Sequence, residues 1–140
     1  MTVRTGKDIV MAAWQTFATR DARKIRAVFS DDAEWTAPQD NATARALQTS
    51  SGFRNPDDIA HFLAHDFGRL FAKDVQLDFR NVCAEGDNVL VELRLQATLS
   101  NGRRYDNDYC FAFGLKDGLV HRMREYMDTA KADRMIFGEA

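Results

Sequence analysis

The stretch that most constrains the fold runs from Arg103 to Thr129, RRYDNDYCFAFGLKDGLVHRMREYMDT. Tyr105, Asn107, Tyr109, Phe111 and Phe113 alternate with Asp106, Asp108, Cys110 and Ala112, the period of two that a strand with two unlike faces produces. Lys116-Asp117-Gly118 supplies the positive φ angles of a tight reversal. Leu119 to Met127 is therefore expected to return antiparallel beside the first strand, with Glu125 on one face and Arg124 and Tyr126 on the other. Charged groups planted on strands that also carry bulky apolar groups point to a site built on a sheet.

The same alternation appears upstream in Val75 to Cys83 and Val89 to Leu99, joined by Glu85-Gly86-Asp87-Asn88. In the second segment Val89, Val91, Leu93, Leu95 and Leu99 share a face opposite Leu90, Glu92, Arg94, Gln96 and Thr98. Ser100-Asn101-Gly102 then leads into the hairpin. The N-terminal half has helical spacing instead. Ile9, Val10, Ala13, Trp14 and Phe17 form a stripe within residues 6 to 19, and Asp21 caps a second helix that buries Ile25, Val28 and Phe29. Asn55-Pro56-Asp57-Asp58 opens a third, whose stripe is Ile59, Phe62, Leu63, Phe67, Leu70 and Phe71. Between them lie a short strand, Ala33 to Ala37, centred on Trp35, and a surface loop over residues 39 to 53, with a helical turn at Ala42 to Leu47 and Gly52 closing it. Asp128 caps a terminal helix, Ala130 to Phe137, that Gly138 stops. The expected class is α+β: a cone-shaped, strongly curved antiparallel sheet with three N-terminal helices packed over it. The inside of such a cone is the default ligand site.

Composition narrows the partners. At 140 residues the chain is expected to be one domain, 1–140, large enough for a single core. A net charge of −2 with both signs interspersed argues against a nucleic-acid surface. No apolar run is long enough to span a membrane, and the N-terminus lacks the apolar segment of a signal peptide. Cys83 and Cys110 are too few for a disulfide framework and have no metal-ligand spacing, so a cytoplasmic setting fits best; both read as small buried hydrophobes.

The helix pair with FSDDAEWTAP after it, the NPDDIAHFL helix and the ending NDYCFAFGLKDGLVHRMREYMDT resemble the SnoaL-like, ketosteroid-isomerase-related proteins of the nuclear-transport-factor-2-like superfamily. The resemblance covers nearly the whole chain. It implies the cone fold and, often, a homodimer; it leaves function open, because the fold hosts isomerases, cyclases, epoxide hydrolases, dehydratases and binding modules. By this resemblance the steroid isomerases' carboxylate base falls at Ala37, their oxyanion tyrosine near Ala13 and their protonated aspartate at Cys110. The known isomerase mechanism therefore lacks its groups. The Asp-Arg-Asp set of limonene-epoxide-hydrolase-like relatives maps to Glu92, Arg94 and Glu125, with the acid and arginine exchanged along the strand, and the water-holding pair maps to Trp35 and Ala37.

Glu125, Arg94 and Glu92 are thus the expected catalytic set, Arg94 holding one carboxylate ionised while the other shuttles a proton. The competing reading is a solvated strand face carrying cross-strand ion pairs. Trp14, Phe17, Trp35, Phe62 and Phe67 read as core residues that also surround the ligand, Trp35 foremost, with Met123 and Met127 pointing into the cone and Asp108 and Cys110 near its mouth. Tyr105, Tyr109, Phe111, Phe113 and Tyr126 either form an outer aromatic face covered by a second copy, a homodimer through the sheet, or lie beneath the helices; the size of the patch favours the dimer. His61 and His65 stand four apart without a third ligand and read as surface residues. No metal and no cofactor is expected. The functional expectation is a pocket protein for a small hydrophobic molecule: a cofactor-independent isomerase, cyclase or hydrolase acting on an oxygenated substrate, or a non-catalytic binding or accessory module.

Overall fold

The computed structural model describes residues 4–49 and 53–138. The expected closure of the 39–53 loop at Gly52 lies outside them. The first helix, α1 (Gly6–Ala18), is started by a capping box in which Thr5 and Asp8 satisfy each other's backbone N–H, and it buries Val10, Ala13 and Phe17. Asp21 Oδ1 accepts from the Arg23 and Lys24 amides and starts α2 (Ala22–Arg26). That helix is shorter than its apolar spacing suggests, because Phe29 already belongs to β1 (Phe29–Thr36). The helical turn expected in the loop is α3 (Ala42–Leu47), capped by Asn41 and ended by Gln48 at φ 55°. Beyond it lies a two-residue strand, β2 (Phe53–Arg54), that the loop composition does not announce.

Asn55 and Pro56 open the third helical segment as expected, but it is not one regular helix. It runs as α4 (Pro56–His61), a π-helical turn (Phe62–Asp66) and α5 (Phe67–Leu70). The π turn's extra residue rotates the stripe, so that Phe62 and Leu63 are both buried. Phe71 then begins β3 (Phe71–Glu85), several residues before the alternation at Val75 becomes visible.

β4 (Asn88–Leu99), β5 (Arg104–Lys116) and β6 (Leu119–Met127) follow as expected, and Asp128 caps α6 (Thr129–Phe137) through the Lys131 amide. The strand order is β2-β1-β6-β5-β4-β3. Neighbours pair antiparallel except β1 and β6, which run parallel and bring Trp35 opposite Met123. Register shifts along β3, between Phe71 and Lys73, Lys73 and Gln76, and Phe79 and Asn81, let that strand bend. The result is the curved, unclosed sheet of a cone.

One face of this sheet is the core. Val89, Val91, Leu93, Leu95, Ala97 and Leu99 of β4 turn inward, and so do Tyr105, Tyr109, Phe111, Phe113 and Leu115 of β5. The rings expected to form an outer dimer patch are therefore under the helices, and Tyr126, expected to accompany them, stands on the opposite face and is exposed. The physical reason is the register: Phe111 lies opposite Glu125, so the odd positions of both strands share the inner face and Tyr126 cannot. The homodimer expectation loses the patch on which it rested. Cys83 is exposed and Cys110 only half-buried. In β3 the shift after Phe79 changes the phase, turning Val82 toward the core and Cys83 away from it.

Asn107 is fully buried on the inner face beside Tyr105. Its amide donates to the Tyr105 hydroxyl at 3.2 Å and to the Asp128 carbonyl at 3.0 Å, and its oxygen accepts from the Asp108 amide. It ties β5 to the start of α6. Asn107→Ala is expected to cost about 2–3 kcal/mol, because it strands these buried partners; the midpoint of urea unfolding measures this.

Candidate active site

The helices and the inner sheet face enclose a cavity of about 330 Å³. Its floor follows from the register. Arg54 lies opposite Trp35 across β2 and β1, Trp35 lies opposite Met123 across β1 and β6, and Glu125 follows Met123 on the same face of β6. Two strand pairings and one step of the pleat thus place Trp35, Arg54, Met123 and Glu125 together. Trp14 and Phe17 of α1 and Phe62, Leu63 and Phe67 of the third helical segment make the roof. Leu93 and Leu95 of β4 and Tyr109 and Phe111 of β5 make the far wall. The aromatic packing is mostly edge to face: the Trp35 and Phe62 rings are 5.3 Å apart, and those of Trp14 and Phe111 5.1 Å.

Glu125 is half-buried, and the surface it keeps borders this cavity. Burial raises its pKa to about 7, against the opposing pull of the Arg54 charge and the Trp35 indole N–H. The indole N–H comes near enough to favour the carboxylate yet makes no hydrogen bond of ordinary geometry. Trp14 Nε1 and Trp35 Nε1 are the buried side-chain donors left without a partner among the described residues.

Arg54 is buried, with its guanidinium carbon 4.0 Å from the centre of the Phe62 ring and 4.8 Å from that of Trp35. Nη2 donates to Thr49 Oγ1 at 3.1 Å. Burial lowers its pKa, offset by the charges of Glu125, Asp66 and Asp58. A second cation, Arg20, borders the cavity from the turn after α1, with φ 57°. Its Nη1 donates to the Leu63 carbonyl at 3.1 Å, its carbon lies 4.5 Å over the Phe67 ring, and burial lowers its pKa too. Tyr109, with Tyr105 hydrogen-bonded to it at 2.6 Å, is pushed well above the ordinary phenol value by burial.

The structure separates the three residues expected to act together. Glu125 faces the cavity; Glu92 and Arg94 are on the outer face of β4. A strand that turns Val91, Leu93 and Leu95 inward must turn its even positions out. There Arg94 makes a bidentate pair with Asp106 at 2.8 and 2.5 Å, and Glu92 accepts from Asn81 at 2.6 Å. Asp108 is likewise outside, paired with Arg80 at 2.7 Å, and Cys110 shares that outer face. These four belong to the solvated side of the sheet. Of the other expected ligand contacts, Trp14, Phe17, Trp35, Phe62, Phe67 and Met123 border the cavity. Met127 faces inward and packs against the core without reaching the cavity lining.

Arg54 and Arg20 were the residues the sequence hid. Arg54 follows a loop without period, and Arg20 follows a helix; neither carries a motif. The signal available for Arg54 was its position immediately before the Asn55-Pro56 helix start, where an arginine contributes nothing to the cap. His61 and His65 lie outside the cavity; His61 Nε2 is 3.6 Å from Asp66 Oδ1, and no cluster of three metal-ligating side chains exists among the described residues.

A curved, unclosed sheet roofed by helices over an apolar cavity is the cone fold of the nuclear-transport-factor-2-like class. Residues 10–123 match the SnoaL-like domain, and the chain belongs to that family. Among solved structures it is similar to a nuclear-transport-factor-2-like protein of unknown function from Burkholderia pseudomallei, with 19% identity, TM-score 0.78 and coverage of 96% of this chain and 98% of that one. It is also similar to TerC, co-crystallised with polyporic acid (24%, 0.77, 94% and 98%), and to a putative SnoaL-like polyketide cyclase from Jannaschia sp. CCS1 (18%, 0.74, 100% of both chains). These likenesses establish the fold. No functionally curated protein matches the sequence significantly. No helix among the described residues is long and apolar enough to cross a membrane.

Proposed function

We propose that the chain is a cofactor-independent acid–base enzyme of the isomerase, cyclase or hydrolase type, acting on a hydrophobic, oxygenated small molecule. One observation carries this reading: Glu125 borders an apolar cavity, and its pKa of about 7 suits both giving and taking a proton near neutral pH. Arg54, fixed between Phe62 and Trp35, supplies the positive charge that stabilises an oxyanion developing beside that carboxyl. Glu125 moves the proton, the aromatic walls exclude water, and the arginine receives the charge. Small-molecule occupancy is in keeping with fold neighbours: TerC was co-crystallised with polyporic acid, and a ketosteroid-isomerase-like protein from Catenulispora acidiphila was obtained in complex with trimethylamine.

Turnover by the purified protein of an epoxide and enone panel is the test. At least one member is expected to react, and Glu125→Gln is expected to lower that rate by roughly 10²–10⁴-fold. A rate unchanged by Glu125→Gln removes the proposal. A second reading, a binding module of the same fold, is favoured by Ala37, which borders the cavity at the position that the steroid isomerases fill with their base. Tight binding of panel members with no conversion of any selects it.

A further inference from the structure

Within this same site the polar groups are unevenly supplied. Trp14 and Trp35 each bring a buried indole N–H that makes no hydrogen bond of ordinary geometry, one in the roof and one in the floor, the latter leaning toward Glu125. Buried donors almost always find an acceptor, in the protein or in what the protein binds. Two guanidinium groups border the cavity, Arg20 and Arg54, and neither forms an ion pair with a carboxylate among the described residues. On the accepting side, the Asn41 side chain is occupied at both ends, by the Ala44 amide and the Pro38 carbonyl, and the Tyr105 and Tyr109 hydroxyls are bonded to each other. Glu125 remains as the one carboxylate of the lining. The Thr43 hydroxyl can donate as well as accept, so cations and donors still outnumber anions and acceptors in a mainly apolar space.

We infer that the ligand is an organic acid, a flat and largely apolar ring compound that brings the missing acceptors. One oxygen group accepts from the Trp35 indole beside Arg54, and a second acceptor reaches the Trp14 indole. Arg20 and Arg54 offset its negative charge. Neutral ring alcohols satisfy less of this arrangement, and cationic ligands meet two arginines. The inference rests on the site proposed above and adds the charge and acceptor pattern of its ligand.

The test uses benzoate, 2-naphthoate and 2-anthroate, each beside its carboxamide and its aminomethyl counterpart, titrated into the full chain. Calorimetry gives affinities. The protein has two tryptophans, so its ¹⁵N–¹H correlation spectrum has two indole signals, assigned with Trp14→Phe and Trp35→Phe. For the ring size that fits, the acid is expected to bind at least about tenfold more tightly than the amide. The aminomethyl compound is expected to bind least, and both indole protons to move downfield. Arg20→Leu is expected to shrink the ratio of acid to amide affinity. Absence of an acid preference at every ring size, including absence of binding by all, overturns the inference, as does an indole proton that stays put in the acid complex. Acid preference without turnover of any compound removes the enzymatic reading and leaves this inference standing. Turnover that Glu125→Gln abolishes, with no acid preference, does the reverse.

Discussion

Glu125→Gln is expected to melt roughly 10 °C higher than the parent chain at pH 8, and at nearly the same temperature at pH 4. The sign follows from proton counting. Glu125 stands at about 7 in the folded chain against an ordinary 4.5, so between those values the folded state holds a proton that the unfolded state has released. Stability contributed at this site is fully present below 4.5, falls as pH rises through the interval, and is flat above 7. The ionised carboxylate then costs up to about 3 kcal/mol. This is an upper figure, because water entering the cavity solvates the charge. Glutamine keeps the shape of the protonated acid and removes the titration. The groups facing Glu125 do not imitate the effect: burial keeps Tyr105 and Tyr109 neutral in this range, and Arg54 is opposed by Asp58 and Asp66 as well as by Glu125. Calorimetric melting of both proteins from pH 4 to 8 measures it. Parallel curves would mean that the carboxyl is solvated and that the proton-transfer proposal has lost its basis. A residue that weakens the fold in the form in which it accepts protons is a cost that a purely structural position has no reason to carry.

The second large effect is on Arg54. Arg54→Leu takes away the cation that opposes burial at Glu125, so the Glu125 pKa is expected to rise above its present value of about 7. Carbon-detected NMR titration of the carboxyl reads this directly. Turnover of any panel substrate is expected to fall by about 10²-fold, the size of a lost oxyanion contact, with the pH of half-maximal rate moving to the alkaline side. Arg54→Lys discriminates between charge and geometry. It restores part of the Glu125 titration but not the rate, because a compact ammonium does not reproduce the planar guanidinium's contacts with the Phe62 and Trp35 rings. An unchanged Glu125 titration in Arg54→Leu would show that the two groups do not interact.

Elements whose information is local were legible in the sequence. The Asp21, Asn55 and Asp128 starts lie beside the helices they cap, and the alternation of β4 and β5 follows from the pleat. The resemblance carried the family and the cone. Which face of each strand looks inward was harder, because it depends on pairing between distant segments. The resemblance puts Glu125, Glu92 and Arg94 inward together, yet odd positions of β4 and of β6 share a face, so the three cannot meet. The aromatic rows of β5 were large enough to suggest an interface, and the same size makes them the main mass of the core. β1 and β3 begin earlier than their alternation shows, because Phe29 and Phe71 satisfy a helical stripe as well as a strand. Arg54 was missed because a two-residue strand has no period.

The side-by-side run of β1 and β6 has a consequence for the newborn chain. Trp35 and Arg54 leave the ribosome long before Met123 and Glu125, so the N-terminal half waits, with its aromatic side chains uncovered, for the last strand it must meet. The pocket comes into being in one late step, and a nascent chain arrested before β6 has roof and walls over a floor that still lacks Met123 and Glu125.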